Sequence, residues 1–132
     1  MSDKPRLDPE LVCDFVGNAH SDLARVRELL RRQKMLINAC WDWGAGDWET
    51  GLGAAAHMGR RDIALYLLEN GARMDIFAAA MLGHLDVVRA MIAADPQAQR
   101  GLGPHGISLL KHAEAGGSLA EPVAEFLRGL ES

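Results

Sequence analysis

The sequence is short of β-branched and aromatic residues, and both shortages limit the class of protein. Its 132 residues include six Val, five Ile and one Thr, although β-sheets favour β-branched side chains on their surfaces. Alanine and leucine, which are strong helix formers, number 20 and 18. The 14 glycines are too many for long helices and indicate turns between short ones. We therefore predict a small all-α protein of short helices.

Positive charge and long apolar runs are also scarce. The 14 basic residues are outnumbered by 18 acidic ones, which gives a net charge of -4 and argues against nucleic-acid or anionic-membrane partners. The longest uncharged apolar stretch, residues 76–83, is too short to span a bilayer. No apolar segment follows residues 1–6, so no secretory signal is visible. With Cys13 and Cys40 expected to be reduced thiols, we predict a cytoplasmic protein.

Helix-start and helix-stop signals recur at short intervals and come in pairs. Asp8 before Pro9 is typical of a helix N-terminus, and Asn70-Gly71 is typical of a C-terminus. Residues 33–49 and 96–106 are predicted to be loops. Because the pairs repeat, we predict a single domain over residues 1–132 that is built from four helix–turn–helix units. The units cover approximately residues 8–38, 46–72, 73–96 and 103–130.

Three glycines mark the same point in successive units. Gly59, Gly83 and Gly116 each follow a helix that contains alanine, at spacings of 24 and 33 residues. At such turns a left-handed backbone is favourable only for glycine. A period near 33 residues is typical of solenoid proteins, in which each unit buries its apolar face against its neighbours.

Three segments resemble the ankyrin repeat. Residues 50–59, TGLGAAAHMG, are similar to the family pattern T-P-L-H-x-A-A-x-x-G without its Pro and His. Residues 66–72, YLLENGA, resemble the family pattern L-L-L-x-x-G-A. Residues 79–88, AAMLGHLDVV, resemble the pattern A-A-x-x-G-H-x-x-V-V. The resemblance implies an α-solenoid of about four ankyrin-like repeats. It also implies a non-catalytic function, the binding of a protein or peptide on the concave face.

One departure from the repeat predicts a notch. The spacing of 24 residues between Gly59 and Gly83 is nine short of the usual period. The β-hairpin finger that precedes an ankyrin repeat is therefore expected to be missing from the third unit. This leaves a notch between a tryptophan-rich loop, residues 41–49, and the loop at residues 97–106.

The candidate binding residues line this notch in the predicted arrangement. Tryptophans supply large contact areas and neighbouring acids receive cations or hydrogen-bond donors. The loop has a structural alternative, in which its indoles pack on helix ends; of its tryptophans, Trp48 is expected to be packed and Trp43 exposed. The full set is Trp41, Asp42, Trp43, Asp47, Trp48, Glu49, His57, Met58, Met81, Leu82 and His105.

A small-molecule site, or an enzyme, in the notch is the alternative function. It requires His105 to come within hydrogen-bond reach of Asp42 or Asp47 and act in acid–base chemistry. No catalytic residue and no cofactor is assigned. No metal ligands are predicted, because the five histidines form no i,i+4 pair and the two cysteines are far apart. The basic residues at positions 25–34 are expected to form a solvated helix face rather than a nucleic-acid site.

Overall fold

The computed structural model describes residues 4–131. Residues 1–3, part of the segment on which the prediction about a secretory signal was made, and residue 132 lie outside the described residues. The described part forms eight α-helices and one β-hairpin. The helices are α1 (Pro9–Asn18), α2 (Leu23–Arg32), α3 (Gly51–His57), α4 (Arg61–Glu69), α5 (Ile76–Leu82), α6 (Leu85–Ala94), α7 (Leu109–Ala115) and α8 (Glu121–Glu131). The strands are β1 (Cys40–Asp42) and β2 (Trp48–Thr50).

Five of the eight helices in the described part begin where a side chain caps a free N–H group. The carboxylate of Asp8 accepts a hydrogen bond from the Glu10 backbone N–H at 3.0 Å, and that of Asp75 accepts one from Ala78 at 2.8 Å. The Thr50 hydroxyl accepts one from the Gly53 N–H at 2.9 Å. Such caps satisfy N–H groups that have no partner within the helix.

The first helices of the four pairs pack side by side in the order α1, α3, α5 and α7. Alanine occupies several buried positions in α3, α5 and α7, including Ala55, Ala79 and Ala113, all fully buried. Because alanine has a small side chain, the helix axes can approach closely. The core has two parts, one built mainly from α1 to α4 and one from α6 to α8, and α5 contributes to both.

Two of the three marker glycines have the predicted backbone, and the third does not. Gly59 and Gly83 have φ values of 67° and 84°, whereas Gly116 has φ -74° and its neighbour Gly117 has φ 69°. A Cβ at Gly116 would clash with the carbonyl oxygen of Met81. Gly116 is therefore required by the close approach of α5 and α7, and Gly117 makes the left-handed turn.

The prediction of an all-α solenoid is wrong, because β1 and β2 form an antiparallel sheet in which Cys40 pairs with Thr50. The fold is mostly α-helical, and a regular ankyrin solenoid is not confirmed. All but the last residue of the hairpin falls in residues 33–49, which were predicted to be a loop. Its turn is held by the Asp42 carboxylate, which accepts hydrogen bonds from the Gly44 and Gly46 N–H groups. Strands of three residues are too short to show an alternating pattern.

Residues 70–75 join α4 to α5 without a strand, as the short spacing predicts. Cys13 and Cys40 are both free thiols. Among residues 4–131, no helix has both the length and the apolar character needed to cross a membrane.

Candidate metal centre

Three histidines and one glutamate meet at one side of the hairpin. Each of His20, Glu49, His57 and His105 offers a nitrogen or oxygen ligand atom, and these atoms all lie within 4.8 Å of one another. His20 lies in the connection between α1 and α2, Glu49 in the middle of β2 and His57 at the end of α3. His105 lies in a 3₁₀ turn before α7. The cluster thus joins side chains from four different segments of the chain.

Glu49 is the centre of the cluster and is 1% exposed. Its Oε1 accepts a hydrogen bond from the Trp43 Nε1–H at 2.9 Å and lies 3.1 Å from the Nε2 of His20. Its Oε2 lies 3.0 Å from the Nε2 of His57 and 3.3 Å from the Nε2 of His105. Neither the Glu49 Oε2 nor the His57 Nε2 has a partner aligned for a hydrogen bond. Two buried polar atoms therefore face each other unsatisfied, which is rare in folded proteins.

The neighbours of Glu49 keep its side chain ionised. Burial alone raises the pKa of its carboxyl group, but the nearby His20, His57 and Trp43 groups outweigh burial and lower the pKa from 4.5 to about 2. A buried carboxylate persists only where donors or cations surround it. Glu49 is therefore a negatively charged ligand at neutral pH.

His20 is oriented by the backbone of α1. Its Nδ1 lies 3.1 Å from the carbonyl oxygen of Val16 and 3.0 Å from that of Gly17. Carbonyl oxygens only accept hydrogen bonds, so Nδ1 carries a proton and Nε2 faces Glu49. The contact with Glu49 raises the pKa of His20 despite the opposing effect of burial. Without a metal ion, His20 is thus stabilised as a cation beside the carboxylate; with one, its Nε2 is free to coordinate.

His105 is oriented by Asp47. The Nδ1 of His105 lies 2.7 Å from Asp47 Oδ2, and its backbone N–H donates to Asp47 Oδ1 at 2.7 Å. The hydrogen bond from the His105 backbone N–H is the largest cause of the lowered pKa of Asp47. His105 also has a φ of 62°, a conformation that is costly for a residue with a Cβ. Asp47 thus holds His105 in this strained conformation, and the Nε2 of His105 is directed at Glu49.

The arrangement has the features of a protein metal site. In a tetrahedral zinc site with bonds of about 2.0–2.1 Å, ligand atoms are separated by about 3.3 Å. From Glu49 Oε2, the His57 and His105 Nε2 atoms lie 3.0 and 3.3 Å away, near this value, whereas the His20 Nε2 lies 3.1 Å from the other oxygen, Oε1. Histidine ligands commonly donate their other ring N–H to a carbonyl or carboxylate. His20 and His105 both have such a partner.

The structure brings together five of the eleven residues predicted from the sequence. Glu49, His57 and His105 are potential ligands, Asp47 orients His105, and Trp43 donates to Glu49. His105 and Asp47 come within hydrogen-bond reach, which was the condition for a site in the notch.

The other six predicted residues lie outside this cluster. Met81 and Leu82 are 0% and 4% exposed, so the prediction that they line an open notch is wrong; both are residues of α5 that pack in the core. Trp48 is 59% exposed, so the expectation that it is packed is wrong, whereas Trp43 is 40% exposed, as expected, and also donates its indole N–H to Glu49. Trp41 packs against the core, Asp42 holds the hairpin turn, and Met58 is half exposed after α3.

His20 is the cluster residue that sequence reasoning missed. The prediction of no metal ligands rested on the absence of histidines or cysteines close together in the sequence. The cluster residues are instead separated by 29, 8 and 48 positions. A usable signal was present, since His20 and His57 both stand where the first helix of a pair ends. Because these first helices pack side by side, their ends lie close together.

Comparison with models of known protein families and with curated proteins finds no match for this chain. The likeness to ankyrin repeats therefore stays a prediction.

Proposed function

We propose that this protein binds a divalent transition-metal ion, with Zn²⁺ as the best candidate, through His20, Glu49, His57 and His105. The observation that carries the proposal is the convergence of three histidine Nε2 atoms on one buried carboxylate. A set of three imidazoles and one carboxylate suits Zn²⁺ and its neighbours in the first transition series rather than Ca²⁺ or Mg²⁺, which prefer oxygen ligands.

The charges in the cluster support a cation as its occupant. Glu49 is ionised and Asp47 adds a second carboxylate behind His105. In the metal-free protein, the carboxylate relies on the proton of His20 for compensation. A divalent ion replaces that proton and provides a partner for the unsatisfied Oε2 of Glu49 and Nε2 of His57.

Titration of metal-free protein with Zn²⁺, followed by calorimetry, tests the proposal. We expect one ion per chain, release of protons on binding, and competition by Co²⁺ with an absorption spectrum typical of nitrogen and oxygen ligands. His57→Ala removes one ligand, so it should weaken binding more than the roughly 10–100-fold typical of losing an outer-shell partner.

The matched control is His84→Ala. His84 is exposed at the start of α6, outside the cluster, so its removal should leave Zn²⁺ affinity unchanged. Equal affinities for the two variants, or wild-type protein that takes up no Zn²⁺, would reject the proposed function.

Binding of a protein or peptide, the function expected from the resemblance, remains a prediction. Met81 and Leu82 cannot contact such a partner, because both side chains are buried. Trp48 and Met58 remain exposed at its expected surface.

A further inference from the structure

An apolar groove lies beside the metal centre, on the other side of Asp47. Trp48 and the neighbouring hairpin residues form one wall, and residues 102–104 form the other. Phe77, at the start of α5, also lines the groove. The cavity measures about 370 Å³, a size that suits a small organic molecule. Trp48 and Leu102 are 59% and 65% exposed, so large apolar side chains stand uncovered around it.

The charged side chains in the groove are all acidic. Asp47 and Asp75 line it, and no lysine or arginine does so among the described residues. Asp47 contacts the backbone N–H and the ring Nδ1 of His105. Asp75 accepts a hydrogen bond from the Ala78 N–H at the start of α5. Carboxylates attract organic cations through their negative charge. The face of an indole ring attracts them as well, so the two groups together favour a cationic ligand.

The two walls of the groove are connected through the metal centre. Glu49 follows Trp48 in β2, and His105 follows Pro104 in the opposite wall. Asp47 binds His105 across the gap at 2.7 Å. An ion held by both Glu49 and His105 would therefore fix the distance between the walls.

We propose that the groove binds a small arylalkylamine, with its aromatic part between Trp48 and Leu102 and its ammonium group toward Asp47 and Asp75, and that metal binding strengthens this interaction. The second part rests on the proposed metal function. The aromatic part matches the apolar walls and the ammonium group matches the two carboxylates.

Tryptamine and indole-3-propionate are suitable probes, because they share an indole and a short chain and differ in the sign of the charge. Calorimetric titration at neutral pH should detect binding of tryptamine, with indole-3-propionate bound at least about tenfold more weakly. Equal or tighter binding of the anion would overturn the proposal.

Two variants with matched controls locate the site. Asp75→Asn keeps an N-cap for α5 but removes the charge, and should weaken tryptamine binding about fivefold, as for a partly exposed ion pair. Asp8→Asn makes the same change at the cap of α1 and should have no effect. Leu102→Ala should also weaken binding, whereas Leu119→Ala, equally exposed but outside the groove, should not. Equal effects within either pair would place the site elsewhere.

Titrations of metal-free and Zn²⁺-loaded protein test the connection between the sites. We expect tryptamine to bind the loaded protein about fivefold more tightly and to raise Zn²⁺ affinity by the same factor, because coupling between two binding sites is reciprocal. Zn²⁺ binding without tryptamine binding in either form would overturn the groove proposal and leave the metal function standing. Tryptamine binding without Zn²⁺ binding would reject the metal function and the coupling, and support the groove alone.

Discussion

The helical core and the proposed metal centre of this protein are assembled in different ways. In the core, Ala55, Ala79 and Ala113 lie at corresponding places in successive helices, where small side chains allow close packing. In the metal centre, four polar side chains come from four unlike segments and meet around Glu49. The core therefore depends on the volume of side chains at repeated positions. The centre depends on the exact placement of a few ligand atoms, so the two regions should respond differently to substitution.

Gly116→Ala should have the largest effect, because its Cβ would clash with the Met81 carbonyl between α5 and α7. We expect a loss of about 3 kcal/mol or more in the free energy of unfolding, measured by urea denaturation. Gly129→Ala is the control: no heavy atom lies within 4 Å of that Cβ, and alanine in a helix should stabilise by about 0.5–1 kcal/mol. Similar stability for both variants would contradict the close packing of the core.

Glu49→Gln should abolish Zn²⁺ binding and change how the metal-free protein responds to acid. The folded pKa of Glu49 is about 2, below its ordinary 4.5, so its contribution is present above pH 4.5 and lost as the pH falls toward 2. Across this range, wild-type protein should lose up to about 3 kcal/mol more of its free energy of unfolding than the Glu49→Gln variant loses. Glu114→Gln, at an exposed ion pair with Arg128, should titrate like wild type.

His20 should give the opposite pH dependence in the metal-free protein. Its folded pKa is raised above 6.5 by Glu49, so its contribution is complete below pH 6.5 and is lost as the pH rises through the folded pKa. Measured by urea denaturation, the free energy of unfolding of His20→Gln should not show this loss as the pH rises above 6.5. A profile with the same alkaline slope as wild type would mean that the pair does not form.

Asp47→Asn should separate metal affinity from stability. His105 presents two donors to Asp47, a backbone N–H and a ring N–H, and asparagine has one acceptor oxygen to offer them. We expect Zn²⁺ affinity to fall by about 100-fold, with a small change in unfolding temperature. Asp42→Asn is the control, since one oxygen of Asp42 accepts both hairpin N–H groups and asparagine retains that oxygen. Equal losses of affinity would show that Asp47 has no orienting role.

The smallest effect is expected for Trp43→Phe, which removes the indole donor to Glu49 Oε1. Zn²⁺ affinity should fall by about tenfold, because the carboxylate keeps its other neighbours but loses one orienting bond. Trp48→Phe, in the same hairpin, removes an exposed indole outside the cluster and should not alter Zn²⁺ affinity. Unchanged affinity in Trp43→Phe would mean that the indole does not orient the ligand.

Much of the helical fold is predictable from local patterns in the sequence. Asp8 caps α1 at its predicted position, and the turns after α3 and α5 are made by the predicted glycines, Gly59 and Gly83. Local patterns predict a loop where the hairpin lies, since β1 and β2 have three residues each and their turn is held by Asp42; only the resemblance to ankyrin repeats implied a hairpin before the second unit. Gly116 was assigned the backbone that Gly117 adopts, because two adjacent glycines leave the position of the turn undetermined.

The site was predictable only in part. Clustering of tryptophans and acids in one segment drew attention to Glu49, Asp47 and Trp43, and the Gly/Pro setting of His105 marked the opposing loop. Nothing in the spacing connected His20 to them. The burial of Met81 and Leu82 was equally hidden, since it depends on how α5 packs against the helices that precede it.

The sequence by itself thus determined where helices begin, end and pair, because capping, helical periodicity and glycine turns act over a few residues. Only the tertiary structure decided that His20, Glu49, His57 and His105 meet, and that Asp47 and Trp43 hold two of them in place. The physical reason is that ligand atoms must be placed to within a fraction of an ångström. Such placement results from the packing of the whole helix row, which no short stretch of sequence encodes.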